Sequence, residues 1–92
     1  MVTVHIPALL RDLTGGAAQV RVDVPAGRQI TVRELLEMLD ADHRGLLESL
    51  LYEGDILPGI AVFIDSDQAH LGLQAKLGDG SEVHFLPPVV GG

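Results

Sequence analysis

The sequence predicts an α+β domain: a mixed sheet of four to five strands packed on one main helix, with a short helical turn beside it. Three observations predict it. Both ends of the chain alternate apolar and polar residues, the period of half-buried strands. The middle carries one apolar stripe at helical spacing behind a capping signature. Between that helix and the last strand lies a β-branched run bounded by turn residues.

The first strand is Val2-Thr3-Val4-His5-Ile6, in which Val2, Val4 and Ile6 alternate with polar neighbours. Pro7 lacks a backbone donor, so pairing ends near it. Thr14-Gly15-Gly16 marks a turn, Val20-Arg21-Val22-Asp23-Val24 alternates again, and Pro25-Ala26-Gly27 stops it. Two strands around a loop read as a β-hairpin. The helix starts at Thr31, with Glu34 three residues on in the spacing of a capping box. Ile30 and Leu35 fall where a hydrophobic staple places them. Val32, Leu35, Leu36 and Leu39 then form one stripe, and the helix ends around Asp40 to Asp42. Residues 46–51 make a short helical turn, closed by Gly54 and Pro58-Gly59. Ile60-Ala61-Val62-Phe63-Ile64 is the third strand, and Asp65-Ser66-Asp67 a turn. Gln68 to Leu71 reads as a short edge strand. Asp79-Gly80 turns the chain into the last strand, Glu82-Val83-His84-Phe85-Leu86.

Alternation also assigns faces. Val2, Val4, Ile6, Val83 and Phe85 point toward the helix, and Thr3, His5, Glu82, His84 and Leu86 point away. If Ile60, Val62 and Ile64 point inward, Ala61 and Phe63 point outward.

Composition narrows the function classes. A length of 92 residues suits one domain, and 47% hydrophobic content supports a core without staples. The chain has no cysteine, which excludes disulfides, thiolate metal sites and cysteine nucleophiles. A net charge of −7 opposes non-specific nucleic-acid binding and docking on anionic lipid. It favours a partner with a basic docking face. No signal peptide and no membrane-length apolar run is visible, so the expected location is the cytoplasm. The four histidines show no ligand spacing such as His-x-x-x-His, so no metal is expected. Asp65 and Asp67 read as a solvated turn rather than a paired acid and base. Gly78-Asp79-Gly80 opens no helix and so forms no phosphate cradle. No nucleophile–base pair appears, and the chain is not expected to be an enzyme.

The last six residues are Pro87-Pro88-Val89-Val90-Gly91-Gly92. Prolines cannot join a central strand and favour extended backbone, so residues 1–86 read as the domain and 87–92 as a projecting tail. Gly91 and Gly92 lack a Cβ and would let the tail enter a narrow channel. At roughly 7% glycine usage, two terminal glycines arise by chance in about 0.5% of chains. The pair is joined by a second feature, the proline-stiffened exit from a small α+β domain.

With these residues in hand, the chain resembles ubiquitin-like β-grasp sulfur carriers of the MoaD/ThiS family. The resemblance rests on Val2-Thr3-Val4-His5-Ile6-Pro7, Leu10-Arg11 and Thr14-Gly15-Gly16 at the start, and on residues 86–92 at the end. It implies that the Gly92 carboxylate is adenylated by an activating enzyme and converted to a thiocarboxylate, with Gly91 its slim neighbour. The implied partners are that adenylating enzyme, a sulfurtransferase and a sulfur-accepting synthase. ATP is used by the activating partner, and this chain is expected to bind no cofactor. The β-grasp order makes the first and last strands neighbours and sets the third beside the last. Phe63, His84 and Leu86 then form an exposed apolar docking patch at the root of the tail, continued by Pro87, Pro88, Val89 and Val90. Two departures stand out: Val90 where the family commonly has alanine, and Asp65-Ser66-Asp67 where it often has Asn-Gly-Glu. The double proline resembles carriers that serve molybdopterin synthase. The Ile6-Pro7 start with Thr14-Gly15-Gly16 also resembles carriers for cysteine biosynthesis. Both acceptors stay open, with a lean to the molybdopterin type. A covalent protein modifier and a non-covalent interaction subunit are the alternatives. Lys76 is the only lysine, which leaves lysine-linked chains almost no acceptor.

Overall fold

Alternate branched residues build the first strand, β1 (Val2–His5), in the computed structural model, which describes residues 1–86. Val2, Val4 and Ile6 are buried. Past Pro7 the chain makes a 3-10 helix, Ala8–Thr14, where the sequence suggested only a loop. Gly15, at φ 66°, ends it in the left-handed region that glycine occupies without strain. The Thr14 hydroxyl is buried and donates to the Ala17 carbonyl at 2.8 Å. The chain returns as β2 (Gln19–Val22), antiparallel to β1 with Val22 opposite Val2. This is the expected hairpin, and its strand stops two residues before the buried Val24.

A short strand, β3 (Gln29–Thr31), leads into helix α1 (Val32–Asp42). The capping box is complete. Thr31 Oγ1 accepts from the Glu34 amide at 3.1 Å, and Glu34 Oε1 accepts from the Thr31 amide at 3.1 Å. Val32, Leu35, Leu36 and Leu39 are all buried, so the predicted stripe is the core face of the helix. Ile30, at the staple position, is buried as well. Asp40 then accepts from the amides of Gly45 and Leu47 at 3.0 and 3.2 Å. Its carboxylate thus secures the start of the second helix, α2 (Leu46–Leu50).

Two small pairings lie outside the sequence reading. Strands β4 (Leu51–Tyr52) and β5 (Asp55–Ile56) form a hairpin around Glu53-Gly54. Later, a 3-10 turn at Gly72–Gln74 precedes β8 (Lys76–Gly78), which pairs antiparallel with β3. Between them run β6 (Ala61–Ile64) and β7 (Asp67–Gln68). The edge strand expected at Gln68 to Leu71 is therefore displaced toward the turn, and Leu71 is 71% exposed. A two-residue hairpin loop at Asp65-Ser66 fixes that register: Ile64 must pair with Asp67.

The last described strand, β9 (Glu82–Leu86), completes a five-stranded sheet in the order β2-β1-β9-β6-β7. Strand β9 is parallel to β1 and antiparallel to β6, the neighbours expected. Val83 and Phe85 are buried on the helix side beside Val62. Ile60 and Ile64, expected inward with Val62, are only partly buried against this core.

Candidate functional site

The site is built on the face of the sheet away from α1, where alternation sends every second side chain. Register aligns one row across it. His84 of β9 lies opposite His5 of β1 and opposite Phe63 of β6. Gln19 of β2 and Gln68 of β7 extend the row at either side. The His5 and His84 rings stack with centroids 3.8 Å apart and planes 8° from parallel. His5 Nε2 is shielded from solvent, lacks a hydrogen-bond partner, and lies 3.6 Å from Glu82 Oε1. Its Nδ1 is 3.5 Å from Gln19 Nε2.

The next outward-facing pair is Leu86 and Ala61. Leu86 is 46% exposed, whereas Phe63 and His84 are half-buried. The three residues predicted as an exposed docking patch do lie together, but the patch is less open than expected. Stacking on His5 covers part of His84, and flanking strands cover part of Phe63 on both sides. Sequence reasoning placed His5 and His84 on this face of neighbouring strands, without their stacking, and missed Gln19. Both follow from the β1–β9 and β1–β2 registers, which no local pattern specifies.

The opposite end of β9 is acidic and structural. Asp65 and Ser66 have φ of 51° and 75°, the left-handed pair that a tight two-residue hairpin demands. Asp65 holds the turn on β9: its carboxylate accepts from the Glu82 amide at 2.8 Å, and its amide donates to the Glu82 carbonyl at 2.9 Å. Its carboxylate is thus occupied as a turn anchor. Asp79 in turn pairs with the Met1 amine. Among the described residues no group of three or more His, Asp or Glu side chains could hold a metal. No described helix is long and apolar enough to cross a membrane. Pro87, Pro88, Val89, Val90, Gly91 and Gly92, which carry the predicted tail, lie outside the described residues.

The ThiS family model matches residues 4–92, almost the whole chain. The chain belongs to the ThiS family. Small archaeal modifier protein 3 of Haloferax volcanii is 36% identical over 64 residues, covering 67% of this chain and 70% of that protein. A chain of the Amycolatopsis orientalis BexX/CysO complex superposes with a TM-score of 0.84 at 32% identity, each chain covered in full. Mycobacterium tuberculosis CysO gives a TM-score of 0.83 at 28% identity, over 97% of this chain and all of that one. The fold of this ThiS-family protein is therefore the ubiquitin-like β-grasp. The exposed end of β9 is the root of the segment that carries Gly91 and Gly92, and the family match extends through both.

Proposed function

We propose that this protein is a sulfur carrier whose working group is the Gly92 carboxylate. A partner enzyme adenylates that carboxylate with ATP, releasing pyrophosphate; a sulfurtransferase persulfide then attacks the acyl carbonyl and expels AMP, and a thiol reduces the resulting acyl disulfide to the thiocarboxylate. The resulting thiocarboxylate is delivered to a biosynthetic synthase. That acceptor is either a molybdopterin synthase large subunit or a cysteine synthase-like enzyme. The protein acts in the cytoplasm as a co-substrate of these partners, binds no cofactor of its own, and performs no catalysis alone. The single observation that carries this reading is the family match running through Gly92 on a β-grasp domain. The outer row supports a docking role: Leu86 offers exposed apolar surface beside Phe63 and His84, next in the chain to the reactive segment.

The test is an intact mass. The full chain is incubated with its cognate activating enzyme, ATP and a sulfur source. The expected result is a gain of about 16 Da for one oxygen-to-sulfur exchange, chemical arithmetic on a terminal carboxylate made electrophilic by activation. A chain lacking Gly92 gains nothing. An unmodified full-length chain across several activating enzymes would favour a non-covalent subunit instead. The relatedness to small archaeal modifier protein 3 favours one further reading, attachment of Gly92 to a lysine of another protein. It predicts a product heavier by a whole chain less one water.

A further inference from the structure

We infer that Arg11, held at the mouth of a cleft beside Leu86, binds a carboxylate side chain of the protein that activates the tail. The inference rests on the carrier reading above and adds a named contact and its chemistry.

The cleft lies between the end of β1, the 3-10 helix and the end of β9. Its volume is about 340 Å³, and Pro7, Arg11, Gln19, His5, His84 and Leu86 are among its walls. Arg11 is exposed, yet its side chain is not free to roam: Nε donates to the Ile6 carbonyl at 3.2 Å. That bond occupies one of five guanidinium N–H groups and orients the remaining four, on the terminal nitrogens. A fork pre-oriented in this way loses less entropy on binding than a free side chain.

The charge pattern identifies the ligand. The chain carries 13 acidic residues against 6 basic ones. Accordingly, the other described clefts that contain a cation also contain acids. Arg33 shares its cleft with Glu53 and Asp55. Arg28 shares one cleft with Asp79 and another with Asp23 and Glu34. Among the described clefts, the one at Arg11 alone has a cation and no carboxylate in its walls. Glu82, on the same face, sits at the far end of β9 from Leu86, its carboxylate 3.6 Å from His5 Nε2. A planar fork in an acid-free cleft fits a carboxylate, which it binds bidentately. The phosphoryl group of the adenylate is the alternative occupant. That group forms at Gly92, six residues further along the chain than Leu86, and a titration without ATP reads binding before it exists. A six-residue segment spans at most about 20 Å, so a protein that holds Gly92 lies within that distance of the end of β9.

Calorimetry of the full chain with its activating enzyme, without ATP, reads this contact apart from modification. Arg11→Gln is expected to weaken binding about tenfold or more, as loss of a charge-assisted pair does. It should also flatten the dependence of affinity on salt. Arg11→Lys, which keeps charge without the fork, should fall between. Arg11→Glu should bind worst and be rescued by an acid-to-arginine change in the partner. Circular dichroism checks that each variant is folded; Arg11→Lys serves if Arg11→Gln is not. Binding by Arg11→Gln within twofold of the wild type, with an unchanged salt slope, overturns the inference. Failure of the carrier reading shows elsewhere, as absence of the mass gain in the wild-type chain.

Discussion

Replacing Phe63 by alanine separates the two duties of the outer row. Phe63 is partly buried between His84 on β9 and Gln68 on β7. Burying a whole phenylalanine side chain is worth about 1.5–3 kcal/mol. About two-thirds or more of the side chain is already covered and contributes about 1–2 kcal/mol to folding, and the open remainder can contribute about 0.5–1 kcal/mol to a partner that covers it. For a domain of this size, about 1 kcal/mol lowers the melting temperature by about 4–8 °C. The protein stays folded, since marginal domains hold about 5–15 kcal/mol in reserve. Binding to the activating enzyme should weaken about two- to fivefold, because a factor of ten corresponds to about 1.4 kcal/mol. A thermal melt and a calorimetric titration on the same sample give both numbers. If the melt shifts as expected and the affinity does not change, Phe63 is a packing residue only, and docking does not use this row.

Two further outcomes test how the domain holds that face in place. Thr31→Ala removes the hydroxyl that accepts from Glu34, and should cost about 1 kcal/mol in chemical denaturation, with Thr31→Ser close to wild type. A loss below about 0.3 kcal/mol would mean the cap is not what starts α1, since a cap removed should cost at least about 0.5 kcal/mol. Ser66→Gly relieves a left-handed conformation worth roughly 1–2 kcal/mol, offset by about 0.5–1 kcal/mol of added chain entropy. The net expectation is a gain of about 0.5 kcal/mol. A lower melting temperature for Ser66→Gly would show that the serine side chain, not the backbone, holds the turn.

Local physics wrote much of this fold into the chain. Thr31 and Glu34 stand at capping distance, Val32 through Leu39 repeat at helical spacing, and Val2, Val4, Val83 and Phe85 alternate. Each of these signals lies within one element, and each is realised in the structure. What escaped depends on partners distant in sequence or on turn conformations that side chains only permit. The β4–β5 hairpin turns at Glu53-Gly54, with φ of 52° and 82°. That is the same left-handed pair used at Asp65-Ser66, and Glu-Gly announces it less plainly than Asn-Gly does. Strands β3 and β8 have three residues each, too few to display a period, and two helices, four strands and a 3-10 turn lie between them in the chain. At the site, Phe63, His84 and Leu86 could be placed on one face from alternation. The His5–His84 stack and the fixed Arg11 fork required the parallel register of β1 with β9 and an unforeseen 3-10 helix.

That parallel register bears directly on the carrier reading. In the order β2-β1-β9-β6-β7, the strand that ends at Leu86 is the middle of the sheet, hydrogen-bonded on both sides. Its inward residues, Val83 and Phe85, are among the buried core. Under the proposed function, partners that grip and release the tail would load the strand that bears it. An edge strand would resist that load with one ladder of hydrogen bonds, and could also pair with foreign strands. A central strand resists with two ladders and a buried side-chain row. Its position also surrounds the root of the tail with residues from both neighbours: His5 from β1, Ala61 and Phe63 from β6. A partner approaching the end of β9 therefore meets a surface assembled from several parts of the chain. Selectivity among partners can be tuned at Phe63, Leu86 or Arg11 without altering the chemistry proposed for Gly92.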